Sequence, residues 1–414
     1  MSRAEQYEED FLFLWHQVAT DYSYLRTTDW GLVRTHYLPA ARACTSHHEL
    51  LTLLEHVLDS LCDFHVQLGE NTATSPYPVP SATDCWADWQ AGQAILTAVR
   101  PHSPAAQAGL RAGQQLLAVN EVPVYQAAQA LINPAATASA PRVQQWALLR
   151  LVAGYRGTSR QLLVHDPLRG PRTIRLSAPA SAAGPPAPLV TGYRLGSAPH
   201  IGYVKVHNSL GNADLIAAFD EVLDGLLATQ GLLLDLRDTP SGGNTTVARA
   251  LIGRFITQDL GYQKHLAPQE ERTTGIRRSW IEVASPRSLA VYTAPVVVLV
   301  NHWTGSMGEG LAIGLGELAP RVQLVGTPMA GLQGAVTTYH LPHTNIPFTI
   351  PTEQLYTVGG NVARELYQPL RLASHVAAAV VEDYCQEEAL LQAGKQVLQA
   401  AIGGEVSHNL ILNT

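Results

Sequence analysis

The decapeptide NHWTGSMGEG, residues 301–310, sets one serine, Ser306, between glycines at 305 and 308, directly after the apolar run APVVVLV. A hydroxyl placed where a buried strand hands over to a helix sits in a crevice, beside the unpaired N–H groups of the helix's first turn. That combination suits nucleophilic attack on a carbonyl, with amides in place to hold the oxyanion that develops. The glycines let backbone and substrate approach closely. A serine here also serves as an ordinary helix N-cap, and the local pattern leaves both roles open. A second turn, DLRDTPSGGN at 235–244, carries Gly242 and Gly243 just after another strand. Their amides are suited to completing an oxyanion hole beside the serine, although a strand-to-helix turn without chemistry reads the same way.

Both turns depend on the elements around them. Strand, glycine-containing turn and helix recur as GLLLDLRDTPSGGNTTVARALIGRF, as APVVVLVNHWTGSMGEGLAIGLGEL and, more weakly, as RVQLVGTPMAGLQG. Strands apolar throughout that alternate with helices predict a parallel sheet covered on both faces, with chemistry where strands end and helices begin. About the first 65 residues carry helical periodicity, in YEEDFLFLWHQVATDY and SHHELLTLLEHVLDSLCDF, with Ser46 as an N-cap. The stretches NTATSPYPVPSA at 71–82 and APASAAGPPAP at 178–188 read as linkers. Between them, GQAILTAVRPHSPAAQAGLRAGQQLLAVNEVPV alternates short β-type runs with Gly and Pro turns.

A chain of 414 residues exceeds one core, so two or three domains are expected. With 46% apolar and 15% charged residues it is globular, and its 27 basic residues form no dense run against a net charge of −7. That argues against a nucleic-acid surface. Cys44, Cys62, Cys85 and Cys385 lie too far apart for a zinc or redox pair and read as buried thiols. His47 and His48 adjoin, which is poor geometry for joint ligation on a helix, so no metal is expected. The start MSRAEQYEEDFLFLWHQ lacks the basic opening and longer apolar run of a secretory signal, and no membrane span is seen. The chain as written therefore reads as cytoplasmic, or as extracytoplasmic if a signal has been removed.

LLLDLRDTPSGGN, followed some sixty residues later by VVVLVNHWTGSMGEGLAIGL, resembles the C-terminal-processing peptidase superfamily (family S41), with its DLR.N.GG turn and its T.S..E around a nucleophilic serine. SPAAQAGLRAGQQLLAVN resembles the core of a PDZ domain, with Gln114 where an acidic residue is usual. The resemblance implies a multidomain α+β protein. A helical domain over 1–70 and a PDZ-like β domain over 83–178 precede a ClpP/crotonase-like α/β catalytic domain with C-terminal helices over 189–414. One branch of the family pairs its serine with a lysine, but Leu332 stands at that position here. LCDFHVQL at 61–68 instead resembles the L.D.H signature of the branch of tricorn core and retinoid-binding-protein-like peptidases. That likeness implies His65 as the base, a role imidazole suits near neutral pH. GGNVARELYQPLRL then offers Glu365 to orient it, with a shorter spacing to Pro369 than the tricorn pattern has. Phe64 stands where a tricorn-type site has a further serine, and the sequence names no replacement.

The mechanism so implied is acyl transfer to Ser306 with His65 as proton carrier and no cofactor. The Met307 amide and an amide of Gly242 or Gly243 would hold the oxyanion. The substrate implied is a peptide or protein, bound through its free C-terminus if the PDZ-like segment captures one. The alternatives are a non-catalytic binder of a peptide or apolar ligand on the same fold, or a crotonase-like thioester enzyme. Oligomeric state is not legible.

Overall fold

Ser2 and Glu5 cap each other, Glu5 donating its amide to Ser2 Oγ at 3.3 Å and accepting the Ser2 amide at 2.6 Å. This reciprocal cap starts helix α1 (Arg3–Asp21) of the computed structural model, which describes residues 2–25, 28–137, 139–177, 187–196, 200–332, 334–358 and 386–403. The chain divides into two compact units, one of residues 1–181, 267–278 and 334–354 and one of the remainder.

In the first unit α1 is followed by α2 (Trp30–Ala43) and α3 (His47–Asp59), and Ser46 caps α3 as its sequence predicts, accepting the Glu49 amide at 3.2 Å. Phe11, Leu14, Val18, Val33, Leu50, Leu54 and Val57, spaced three and four apart within each helix, form one core. A short strand β1 (Gln67–Leu68) follows. Next come β2 (Cys85–Gln90), β3 (Gln93–Val99), α4 (Pro104–Gln107), β4 (Gln115–Val119), β5 (Val122–Pro123), α5 (Val124–Gln129), α6 (Pro141–Ala153), β6 (Arg160–Asp166) and β7 (Gly170–Leu176). These strands form an antiparallel sheet in the order β2-β3-β4-β6-β7, with β5 on β4. Helix α6 packs on the edge strand β2. There Gln145 Nε2 donates to the Ala87 carbonyl at 2.7 Å, and Trp89 Nε1 donates to the Gln144 carbonyl at 3.1 Å.

The second half of the chain continues through β8 (Val190–Leu195), β9 (Ile201–Val206), α7 (Leu215–Asp224), β10 (Gly231–Asp235), α8 (Thr245–Ile252), β11 (Leu260–Ala267), α9 (Pro268–Thr274) and β12 (Arg278–Ala284). It ends through β13 (Val296–Val300), α10 (Met307–Gly316), β14 (Val322–Gly326), β15 (Ala335–His340), β16 (Pro347–Tyr356) and α11 (Gln386–Ile402). Of these, α9, β15 and most of β16 belong to the first unit.

The second unit is built on the sheet β14-β13-β10-β9-β8, parallel throughout except for β8. Leu232, Leu234, Val296 and Val298 pack on one face with Phe219, Leu251 and Leu311 of α7, α8 and α10. Leu233, Val297 and Leu299 pack on the other with Leu398 of α11. The expected doubly covered parallel sheet is therefore present, each buried Leu or Val stabilising it by roughly 1.5–3 kcal/mol. Arg254, fully buried, joins Asp220 at 2.7 Å and Asp224 in a network beneath α7. The third strand-turn-helix repeat ends differently from its pattern. After β14 the chain forms a loop instead of a helix, because Ala330 donates to the Thr304 carbonyl at 3.0 Å and Gly331 and Leu332 donate to Glu309. Tertiary acceptors replace the helical ones.

Candidate active site

Ser306 occupies the turn between β13 and α10 with φ 51° and ψ −116°, a conformation that side-chain-bearing residues avoid at a cost of about 1–3 kcal/mol. The surrounding bonds hold that strain. Asn301 accepts the Trp303 amide at 2.8 Å, and Thr304 Oγ1 donates to the Leu236 carbonyl at 2.9 Å. The Ser306 carbonyl accepts from the Glu309 and Gly310 amides at 2.9 and 3.0 Å, which starts the helix.

The second glycine turn is zipped to the first. A parallel bridge joins Thr239 to Thr304, with the Thr239 amide donating to Trp303 and the Gly305 amide donating to Thr239, at 3.1 and 3.2 Å. Gly242, at φ +65°, faces Ser306. A Cβ built on it would lie 2.5 Å from Ser306 Cβ and 2.9 Å from both Ser306 Oγ and the Met307 nitrogen. Only glycine fits there, and the absent side chain leaves a space bounded by the hydroxyl and the Met307 amide. The Gly242 amide itself donates to the Thr239 carbonyl at 3.2 Å. Gly243 packs on Leu210, where a Cβ would meet the carbonyl carbon at 2.2 Å. The structure thus brings Ser306, Met307 and Gly242 together, while Gly243, next in the chain, packs on Leu210.

Glu309 has a larger part than the dipole-complementing role its place in the first helical turn suggests. It is 1% exposed, and its Oε2 accepts the Ser306 and Leu332 amides at 2.9 Å each while Oε1 accepts the Gly331 amide at 2.9 Å. Burial pushes its pKa up to about 7, against the pull of the three amides. The S-x-x-E spacing signals a capping box, but nothing local in sequence reveals the two partners from residues 331 and 332. Leu332 Cδ1 lies 3.3 Å from where a side chain on Gly305 would begin, so an apolar group adjoins the nucleophile turn at the place of the dyad lysine.

Beneath the glycine turn Asp235 and Arg237 form a structural pair, with Nε–Oδ1 at 2.9 Å and Nη2–Oδ2 at 2.7 Å. Tyr203 adds a hydrogen bond to Oδ2 at 2.6 Å. Burial opposes the Asp235 charge, yet the guanidinium keeps the carboxyl below its usual range.

His65 belongs to the first unit, in the turn between α3 and β1, and is 7% exposed. Its backbone amide donates to Asp63 Oδ1 at 3.0 Å, and neighbouring Phe64 stacks on Trp146 with centroids 5.9 Å apart. Glu365 lies outside the described residues. Among the described residues no group of three or more His, Cys, Asp or Glu side chains is placed to hold a metal ion, and no helix is long and apolar enough to cross a membrane.

The model of peptidase family S41 matches residues 200–365, and that of the PDZ domain matches residues 95–137. No curated protein matches the chain. Among solved structures, mature CPAF is similar over 97% of this chain and 98% of its own, with a TM-score of 0.68 at 15% identity. The photosystem II D1 C-terminal processing protease is similar over 86% of this chain and 89% of its own, with a TM-score of 0.52 at 18% identity. At these identities the two structures speak for the fold.

Proposed function

We propose that this serine-type peptidase, whose residues 200–365 match the model of peptidase family S41 and whose residues 95–137 match that of a PDZ domain, acts on peptides or proteins through an acyl-enzyme on Ser306. His65 takes the Ser306 proton as the hydroxyl attacks the peptide carbonyl, then passes it to the leaving amine and activates the water that releases the acyl group. The tetrahedral oxyanion is held by the Met307 amide and an amide of Gly242 or Gly243, of which that of Gly242 also donates to the Thr239 carbonyl. Glu365 orients the imidazolium. Leu332 supports a histidine base over a lysine, since it has no group to accept a proton. The observation that carries this reading is the absent side chain of Gly242, whose position opens onto Ser306 Oγ and the Met307 nitrogen together.

Substrate recognition by the PDZ-like domain adds a peptide as a further strand to an edge and holds its terminal carboxylate in a backbone nest. We propose that β2 is that edge and that a free C-terminus is what it selects. Gln145 occupies the Ala87 carbonyl, so a peptide must displace it to bind there.

The test is labelling by a fluorophosphonate, with the labelled peptide identified by mass spectrometry in wild type, Ser306→Ala and His65→Ala. Labelling at Ser306 that is lost in both variants supports the acyl-enzyme reading. A wild type that is folded, cleaves peptides and is never labelled at Ser306 overturns it.

A further inference from the structure

We propose that Asp63 is a positioning residue for His65: its carboxylate fastens the turn that carries the imidazole and is itself fixed by Tyr22 and Arg142. The inference rests on the reading of His65 as the base. Helix α3 ends at Asp59, and the chain must then present a side chain from an irregular segment, Leu61 to Val66, before pairing as β1. Cys62 within it adopts φ 49°. Asp63 Oδ1 accepts the His65 amide at 3.0 Å, an Asx turn, and the Asp63 carbonyl accepts the Val66 amide at 3.2 Å. On the far side β1 pairs Gln67 with Thr349, so the backbone of His65 is held from both directions.

An Asx turn alone requires only an exposed Asn, Asp or Ser. Here the carboxylate is buried at 8% exposure and carries two further partners. Tyr22, at the end of α1 and 1% exposed, donates its hydroxyl to Oδ2 at 2.7 Å, and Arg142 Nη2 in the first turn of α6 lies 3.4 Å from the same oxygen. Burial works against the charge of Arg142, but Asp63 and Tyr22 hold its guanidinium above the ordinary value. Burying a carboxylate is costly unless it is paired and hydrogen-bonded, and this one is. Three elements distant in sequence, the ends of α1 and α3 and the start of α6, therefore converge on one side chain two residues before the proposed base. A misplacement of about 1 Å at a reacting group costs on the order of 100-fold.

The experiment measures the second-order rate of fluorophosphonate labelling at Ser306 against pH, with kcat and KM on a peptide. It uses the full chain carrying Asp63→Ala, Asp63→Asn, Tyr22→Phe or His65→Ala, with far-UV circular dichroism to confirm folding. Asp63→Ala should lower labelling and kcat by roughly 10- to 100-fold with KM unchanged. The midpoint of the acid limb should stay put, since position and not basicity is altered. Asp63→Asn keeps an acceptor for the His65 amide and should recover most of the rate, with Tyr22→Phe intermediate. If Asp63→Ala does not fold, the order Asn above Phe, both below wild type, supports the inference, and wild-type rates in both overturn it. Wild-type labelling by folded Asp63→Ala, with His65→Ala unlabelled, overturns the positioning role and leaves the base intact. Wild-type labelling by His65→Ala overturns the base reading itself.

Discussion

The Glu309 carboxylate accepts the amide hydrogen of Ser306 at 2.9 Å. Through its other contacts, to the Gly331 and Leu332 amides, it ties the nucleophile turn to the loop after β14. One buried side chain thus replaces three backbone acceptors and holds a serine whose backbone is strained. The ionised form satisfies all three donors, and burial is what disfavours it.

That conflict has a measurable pH signature. The native pKa of Glu309 is raised to about 7 from an ordinary 4.5, so between those values the folded state binds more protons than the unfolded state. Its contribution to stability is therefore full below pH 4.5, falls as pH rises towards 7, and is flat above. The shift corresponds to roughly 3 kcal/mol. Urea denaturation of wild type and Glu309→Gln from pH 4.5 to 8 should show the stability difference between them moving against wild type across this window. A difference independent of pH would contradict the assignment.

Gly242→Ala should damage both stability and turnover. The new Cβ would lie 2.5 Å from Ser306 Cβ, on a residue whose φ is +65°. The backbone term alone is of order 1 kcal/mol, and the clash forces the two zipped turns apart. The expected result is a loss of 1–3 kcal/mol in chemical denaturation and of at least about 100-fold in kcat, because the methyl fills the space proposed for the oxyanion. Gly275→Ala, also at positive φ but with open space around it, serves as the control and should leave kcat unchanged.

What the sequence disclosed and what it withheld divide along physical lines. The turns around Ser306 and Gly242 were legible because strand, glycine turn and helix are local patterns, and Ser46 was legible as a cap for the same reason. The partners of Glu309 were not, since two of its three donors lie more than twenty residues away in a loop whose local pattern suggested a weak third repeat. Asp63 was visible only as one letter of a motif, because Tyr22 and Arg142 reach it from distant helices. Helix α6 went unmarked although PRVQQWALLRLVA carries a Pro start and periodic apolar residues, and its place over β2 is a tertiary fact that no spacing encodes.

That place leads to a prediction about substrate capture. Gln145 donates to the Ala87 carbonyl at 2.7 Å and to Asp88 Oδ1 at 2.9 Å, so the bond an incoming strand would make at Ala87 is already satisfied within the chain. A peptide exchanges that hydrogen bond for its own, and the exchange weakens its net binding by about the value of one buried bond, 0.5–1.5 kcal/mol. Gln145→Ala removes the competitor. Peptides with a free C-terminus should then bind roughly 2- to 10-fold more tightly in a fluorescence-polarisation titration. Their C-terminal amides should bind more weakly than the free acids to both proteins, because the nest recognises the carboxylate. Unchanged affinity in Gln145→Ala would show that β2 is not the docking edge, and equal binding of acid and amide would show that the terminus is not what the domain reads.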